Sequence, residues 1–366
     1  MSTFTAEDRA AMAESVRRLL ADKGDEAALR RAMETPSGYD AALWAELVEL
    51  GVAGLIIDPA YDGLGGGPVE LELIMEEAGA ALLAAPLFAS GVMAAALISA
   101  SGDEGAKERL LPGLARGRIA TVALTGDAGT WTPDGVTVGA HSHGARAFLD
   151  GTASFVLHGA AADVLLVVAR VDGGFGIFEV AKGTPGLEIT TLPSFDRTLR
   201  LTKLDFHHVP ATRLGIAGWD AVEAMLKIAL VALAGEQAGG ARRVLDMTVQ
   251  YAKTRIQFGR AIGSFQAIKH MAADLLLEAE NATSAARHAA QQLAGGGEAD
   301  EAVYLAAFAC ADAYSKIAAD AIQMHGGIAF TWAHPAHLYL RRARADAQLL
   351  GAPPYHRERY LQAMGA

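Results

Sequence analysis

The chain of 366 residues is long enough for two or three packed units, because single hydrophobic cores stop growing near about 250–300 residues. Hydrophobic residues make up 52% of the sequence and charged residues 20%, a balance that excludes an intrinsically disordered chain. The net charge of −11 argues against a nucleic-acid or anionic-lipid partner. One cysteine cannot form an internal disulfide, and no apolar run reaches bilayer length. We therefore expect a soluble, cytoplasmic protein without a membrane partner.

The first region, residues 1–117, is rich in alanine and has apolar residues at helical spacing, for example Leu43 and Leu47. This pattern predicts an α-helical domain. A glycine cluster at 63–67 interrupts it, but Pro68 stands where a dinucleotide-binding loop needs its third glycine. The cluster therefore predicts a turn between helices and not a phosphate loop.

The second region, residues 118–216, changes to short β-branched or alternating runs bounded by Gly, Asp or Pro. The predicted strands lie at 119–125, 147–149, 154–157, 164–168, 176–180 and 199–206. No helix of useful length lies between them, so we predict antiparallel pairing in a small barrel or sandwich.

The third region, residues 217–366, returns to helical periodicity. The predicted helices are Ala221 to about Arg255, Ser264 to Leu293, Asp300 to His325 and Pro335 to Leu350. Short connections containing glycine predict an antiparallel four-helix bundle. The fold class is therefore α+β, with helical, β and helical domains in that order.

The sequence does not predict a metal site. Di-metal sites in helical bundles use Glu-x-x-His pairs, and the chain has none. Several histidines fall in loops or at the ends of elements, where surface or capping roles are expected: 141, 143, 207, 208, 334 and 337.

The segment from Lys253 to His270 allows two interpretations. It joins a cation-rich helix end to a loop with glycines and then to a helix starting near Ser264. Ordinary capping explains cations at a helix C-terminus, glycine just after it and serine before the next helix. Alternatively, guanidinium groups and the free N–H groups of the next helix could bind a pyrophosphate.

A second such segment is Gln-x-x-Gly-Gly-x-x-Phe at 323–330, where a glycine pair follows a helix end. Such a pair is usually a helix cap, but it also allows a ligand to approach the backbone closely. The first segment contains Thr-Arg-x-x-Phe-Gly-Arg-x-Ile-Gly-x-Phe-Gln-Ala-Ile-Lys-His at 254–270. Together, on a terminal helical bundle, the two strings resemble the acyl-CoA dehydrogenase family, and the likeness covers nearly the whole chain.

The resemblance implies an oligomer that binds FAD across subunit contacts. Arg255, Phe258 and Gln266 match positions that hold the FAD diphosphate and adenine of the neighbouring subunit. A second clamp on the neighbour's FAD is implied at three further positions, Gln323, Gly326 and Gly327.

The family's chemistry is αβ-desaturation of an acyl-CoA thioester, in which a carboxylate takes the α-proton and flavin N5 accepts the β-hydride. The positions that match the family's two alternative bases hold Leu350 and Ala229. An arginine usual near the thioester is replaced by Leu230. The usual catalytic positions of this chain are therefore without a base.

The segments that contact the chain's own flavin ring also depart from the family pattern. Phe155-Val156-Leu157 stands where Trp-Ile-Thr or Trp-Ile-Ser is typical, and the preceding loop retains only Thr125 as a candidate cofactor contact. The half of the FAD site offered to a neighbour thus matches the family, whereas the half for the chain's own flavin does not.

Glu236 is the candidate replacement base, since it lies two turns after Ala229 on nearly the same helix face. Gly235, Gly239 and Gly240 are expected to leave room for a ligand beside it. The alternative is a structural acid paired with Arg242, Arg243 or a neighbouring helix.

The predicted function is FAD-dependent αβ-dehydrogenation of an acyl-CoA from fatty acid or steroid side-chain catabolism. The alternative is a non-catalytic subunit that completes the FAD site of a homologous catalytic chain. The resemblance implies acyl-CoA as substrate, an electron-transferring flavoprotein as acceptor, and a homo- or hetero-oligomer with a homologous chain.

Overall fold

A computed structural model of the chain describes residues 4–143, 146–216 and 218–365. Eleven α-helices lie within these ranges: α1 (Ala6–Lys23), α2 (Glu26–Glu34), α3 (Ala41–Glu49), α4 (Pro68–Ala80), α5 (Ala95–Ala100), α6 (Glu104–Ala115), α7 (Trp219–Thr254), α8 (Gln266–Ala294), α9 (Asp300–His325), α10 (Ala336–Asp346) and α11 (Pro353–Ala363). None of these helices is long and apolar enough to cross a membrane.

The strands of the described ranges form one seven-stranded sheet and one small hairpin. The sheet contains β1 (Ala120–Ala123), β2 (Gly139–His143), β3 (Arg146–Leu157), β4 (Val164–Val171), β5 (Gly174–Ala181), β6 (Leu187–Leu192) and β7 (Leu201–Leu214). The hairpin is β8 (Ile256–Gln257) with β9 (Arg260–Ala261).

The sheet closes on itself, because β4, β2, β3, β7 and β5 pair in that order and β5 pairs again with β4. Apolar residues such as Leu149, Val167 and Phe206 fill the interior. A closed sheet has no free edge along these strands, so they do not offer an edge for pairing with another chain. The predicted fold class, with a β region between helical regions, is confirmed.

Two pairings, both with β4, depart from the predicted antiparallel pattern: β1 and β2 each run parallel to β4. β1 runs parallel to β4, with Ala120 opposite Val164, since the β2–β3 hairpin lies between them in the chain. Two strands of the seven-stranded sheet, β2 and β6, are absent from the prediction, as is the β8–β9 hairpin. β2 is short and contains Gly139, and β6 has a largely exposed pattern, so neither carries a strong apolar signal.

The C-terminal helices follow the prediction closely but not at every end. The range Asp300–His325 is confirmed for α9. Ser264 was expected to cap α8, but the capping position is Phe265 and the Ser264 hydroxyl donates to the Ala261 carbonyl. Helix α11 begins at Pro353, and its mixed, charged sequence has no apolar period that predicts it.

Contacts divide the chain into two compact units. Unit 1 contains Phe4, Arg30–Gly67 and Ala84–Ala229, and unit 2 contains Thr5–Leu29, Pro68–Leu83 and the chain from Leu230 onward. The three-domain division at 117/118 and 216/217 stays a prediction. Its limits at residues 1, 217 and 366 lie outside the described residues.

Candidate functional site

Glu236 lies on α7 inside unit 2, where only 7% of its side chain is exposed. The guanidinium of Arg342, on α10 and 3% exposed, donates a hydrogen bond to Glu236 Oε1. Of the three partners expected for a structural acid, Arg242, Arg243 or a neighbouring helix, the structure shows the neighbouring helix, α10. Arg242 instead pairs with Glu280 of α8 at 2.8 Å, and Arg243 is exposed.

The glycines around Glu236 allow neighbouring parts of unit 2 to approach α7 closely. A Cβ at Gly239 would lie 1.9 Å from the carbonyl oxygen of Glu76, and one at Gly235 would lie 2.6 Å from that of Glu72. α4 therefore packs backbone to backbone against α7. The Tyr314 ring fills the space at Gly240, where a Cβ would lie 2.6 Å from the Cζ of that ring. The expected ligand space is occupied by the protein itself.

Further buried polar groups surround the Glu236–Arg342 pair. Asp346 lies one turn after Arg342 on α10 and is 2% exposed. Burial, followed by the charge of Asp346, raises the pKa of Tyr314 well above its ordinary value. This part of unit 2 is a packed polar core, which holds the carboxylate of Glu236 in a fixed place.

The positions that match the family's bases are closed apolar sites. Leu350 is 2% exposed and Ala229 is fully buried. The Leu350 backbone has a φ of 62°, a left-handed conformation at the turn before α11. Leu230 is also buried, so no charged group replaces the expected arginine there.

Arg255 and Phe258 lie on a projecting hairpin after α7. The Phe258-Gly259 turn has positive φ at both residues, 54° and 76°, as a two-residue hairpin turn requires. Phe258 is 91% exposed, and its ring meets the Phe265 ring edge-on at 6.1 Å. The Arg260 guanidinium lies 4.0 Å over the same Phe265 ring. The side chains at the tip of the hairpin therefore contact one another, and Phe258 is exposed to solvent.

Gln266 is the first residue of α8 and is exposed. Among the described residues, no capping side chain accepts a hydrogen bond from the first amides of α8, and its first turn has no acidic residue. A helix start of this kind has free N–H donors and a partial positive charge, which suit a phosphate oxygen.

Gln323 and the Gly326-Gly327 pair form the exposed end of α9. Gly326 has φ 66° and ψ −148°, a conformation open essentially only to glycine. A Cβ at Gly326 or Gly327 would meet no atom of the described chain within 4 Å. The backbone here is therefore accessible to a ligand.

The ends of α7 and α9 are held together in unit 2. Tyr251, one turn before Arg255, stacks on His325 with ring centroids 4.5 Å apart. The two predicted clamp segments thus belong to one local structure. The sequence prediction missed both rings, although the i, i+4 spacing of Tyr251 and Arg255 is a signal that they share a helix face.

Thr125 lies in unit 1 and is 1% exposed. Its hydroxyl donates to the Thr130 carbonyl at 2.8 Å, within its own loop. The Ser154 hydroxyl donates to Asp127, and the Phe155 ring packs beside Gly129. The two segments that would contact the chain's own flavin ring therefore contact each other.

The residues of unit 2 fit part of an FAD molecule. An uncapped helix start, exposed Arg255 and open glycine backbone are groups that bind a diphosphate or an adenine edge. No group of three or more His, Cys, Asp or Glu side chains within the described ranges could hold a metal ion.

Comparison with known proteins agrees with this geometry. The family model "Acyl-CoA dehydrogenase, N-terminal domain" matches residues 6–118, and "Acyl-CoA dehydrogenase, C-terminal domain" matches 217–365. Among curated proteins, acyl-CoA dehydrogenase IpdE2 of Mycobacterium tuberculosis is 35% identical, over 95% of this chain and 94% of that protein.

Two solved structures are similar over nearly the full length. The ChsE4-ChsE5 complex of Mycobacterium tuberculosis has a chain with a TM-score of 0.91 and 28% identity, covering 100% of this chain and 99% of that one. The Tcur3481-Tcur3483 steroid ACAD G363A variant has a TM-score of 0.88 and 29% identity, and the match covers 98% of each chain. The protein described here is therefore a member of the acyl-CoA dehydrogenase family, the FAD-dependent oxidoreductases.

Proposed function

We propose that this chain is a subunit of a heteromeric acyl-CoA dehydrogenase and completes the FAD site of a homologous catalytic chain. The observation that carries this proposal is the contrast between two sets of residues. Arg255, Phe258 and Gln266 are exposed, as groups that serve another subunit must be, whereas Glu236 is buried against Arg342.

In this assembly Arg255 and the start of α8 would bind the diphosphate of the partner's FAD, and the Gly326-Gly327 backbone would contact its adenosine half. Bound FAD supplies the acceptor for the substrate's β-hydride. The carboxylate that takes the α-proton belongs to the partner, because Leu350 and Ala229 cannot accept a proton and Glu236 is engaged.

The relatives support a heteromer with a steroid-derived substrate. One similar structure is a complex of two named chains, and another is titled a steroid ACAD with two named chains. We therefore propose an acyl-CoA with a steroid-derived acyl group as substrate. Cytoplasmic location and an electron-transferring flavoprotein as acceptor remain part of this proposal.

The competing function is dehydrogenation by this chain alone, with Glu236 as the base. It has in its favour that Glu236 lies on the helix face of Ala229, one of the two positions matching a family base. It requires the carboxylate to leave Arg342 when substrate binds. Thr125 would then contact the chain's own FAD, although its hydroxyl now bonds within its loop.

Flavin content separates the two functions. The chain is purified alone and after co-expression with a candidate homologous partner chain from the same genome, and FAD per chain and mass in sedimentation are measured. The proposal predicts little FAD in the chain alone, and one FAD per pair of different chains in a complex that acyl-CoA bleaches anaerobically. One FAD per chain in a homo-oligomer that is bleached without a partner would overturn it.

A further inference from the structure

Three aromatic rings meet at the base of the exposed segments of unit 2. Tyr251 and His325 stack with centroids 4.5 Å apart and planes 29° apart. His325 and His334 lie at 4.5 Å and 54°, and Tyr251 and His334 at 6.3 Å and 73°. We call Tyr251, His325 and His334 the ring joint.

Each ring belongs to a different element end. The Tyr251 carbonyl accepts the Arg255 amide at 2.8 Å in the last turn of α7. His325 is the last residue of α9 and directly precedes Gly326. The Ala336 amide, at the start of α10, donates to His334 Nδ1 at 3.2 Å. The ring joint therefore ties together the ends of α7 and α9 and the start of α10.

A small apolar cluster supports the same junction. Ile322 of α9, Ala329 and Ala336 are buried together, and Met247 of α7 packs against them. Gly326 and Gly327 have no side chains, and their backbone is open on the outer side of this cluster. His325 is thus the buried side chain next in sequence to the open glycine backbone.

The hydrogen bonds of His325 define its tautomer. Nδ1 lies 2.8 Å from the Ala321 carbonyl, and since a carbonyl only accepts, Nδ1 carries the proton. Nε2 is buried and makes no hydrogen bond among the described residues. The residue is only 4% exposed, so a second proton on this ring would place a charge in the stack.

We propose that His325 is a positioning residue for the FAD clamp: its neutral ring, stacked on Tyr251, fixes the Arg255 hairpin relative to the Gly326-Gly327 backbone. The inference rests on the proposed function, because the clamp is useful only if it binds a flavin. One flavin has a fixed spacing between diphosphate and adenine, so two clamp segments that move independently bind it less tightly.

The two histidines of the ring joint are titratable, so their protonation state bears on the stacking. Burial lowers the pKa of His325, and burial together with His325 lowers the pKa of His334. The charge of Glu26, on α2, partly offsets this by raising the pKa of His334. The Tyr251 ring faces both histidine rings. Both imidazoles are therefore neutral at pH 7.5, and below their ordinary value of 6.5 a proton on either would weaken the stack.

The test uses the full chain, assembled with its homologous partner, and three variants. His325→Leu removes the ring, and His325→Phe keeps a ring that cannot titrate. His288→Leu, at an exposed histidine of α8, is the matched control. Amide hydrogen exchange of residues 256–262 and 326–330 is measured without flavin, and FAD affinity is measured between pH 5.5 and 8.

We expect His325→Leu to speed exchange in both segments and to weaken FAD binding roughly three- to tenfold, the range of a lost aromatic pair. His325→Phe should bind FAD like the wild type at pH 7.5, because it keeps a neutral ring against Tyr251. Faster exchange at 326–330 alone would overturn the coupling of the two segments. Should His325→Leu unfold, Tyr251→Leu removes the other half of the stack, and unchanged exchange and FAD affinity in that variant overturn the proposal.

The outcomes also distinguish this inference from the proposed function. If FAD binds and Arg255→Ala abolishes binding while His325→Leu does not change it, only the positioning role fails. If no wild-type assembly takes up FAD, the proposed function fails and this inference fails with it.

Discussion

Glu236 and Arg342 form a buried ion pair that joins α7 to α10 within unit 2. Removing two charges from water is costly, so such a pair contributes little net stability, but breaking one half leaves the other charge without compensation. Its role in the fold can therefore be measured separately from any role in the reaction.

The first prediction concerns this pair. Glu236→Gln and Arg342→Met should each destabilise the protein by about 3–5 kcal/mol, the usual cost of one buried charge left behind. A double variant, Glu236→Met with Arg342→Met, should recover most of that loss because neither half of the pair is left without its partner. Urea denaturation followed by circular dichroism measures all three.

The Glu236→Gln variant also tests whether Glu236 is a catalytic base. If Glu236 takes the α-proton, Glu236→Gln should lower acyl-CoA turnover by about 10²–10⁴-fold while FAD is retained. We expect instead that turnover per bound FAD in the assembled complex changes little.

The second prediction concerns the close contact of α4 and α7. Gly239→Ala would put a Cβ 1.9 Å from the Glu76 carbonyl oxygen, so the helices must separate. We expect a loss of at least about 1–3 kcal/mol. Gly105→Ala in α6 is the matched control, since its Cβ would come no closer than 3.5 Å to any atom of the described chain. A stabilising Gly239→Ala would show that the contact is not close.

The third prediction concerns Arg255. Its guanidinium is exposed, and a charge-assisted bond to a diphosphate contributes about 1.5–3 kcal/mol. Arg255→Ala should therefore lower FAD occupancy of the assembled protein about tenfold or more. Arg242→Ala, on α7 and paired with Glu280, should leave occupancy unchanged. Equal occupancy in all three proteins would indicate that Arg255 has only a capping role.

The fourth prediction concerns a buried acid on α4. Burial, and then the neighbouring Glu76, raise the pKa of Glu72 to about 9 from 4.5. Between these values the unfolded chain releases the proton and the folded chain keeps it, so stability falls as pH rises. Glu72→Gln should unfold at a higher temperature than the wild type at pH 8, with a smaller difference at pH 5. Parallel melting curves at both pH values would contradict this.

The fifth prediction concerns a buried histidine, His356, for which stability falls as the pH is lowered and not as it is raised. Burial lowers the pKa of His356, on α11, from 6.5 to about 4. The unfolded chain therefore binds the proton first, and the contribution of the neutral ring is complete above pH 6.5 and lost as pH falls toward 4. His356→Phe should reduce the loss of melting temperature between pH 7 and 4.5. An exposed histidine, His288, provides the control through His288→Phe.

The sequence predicts those helices and strands whose apolar residues repeat regularly within one stretch of the chain. Helix α9 was predicted from end to end, because its apolar positions repeat regularly between Asp300 and the glycines after His325. The strand β2 has no such repeat and forms through its pairing with β3. The parallel β1–β4 pair depends on the order of strands in space, which no local pattern contains.

The same limit applies to the candidate site. Small residues such as Gly239 indicate only that something approaches closely, and here it is the backbone of α4 and not a ligand. Arg342 lies 106 positions from Glu236, so their pairing depends on how α10 packs on α7. The i, i+4 spacing of Leu338, Arg342 and Asp346 is the available signal that this face of α10 is buried.

The hairpin at 256–261 has a consequence for how the protein must be made. Phe258 is 91% exposed and Ile256 57% exposed, on a tight turn that presents both to water. Apolar side chains displayed in this way favour self-association until another surface covers them. In the proposed heteromer a partner chain would cover this hairpin, and chain made in excess of that partner would be prone to aggregate.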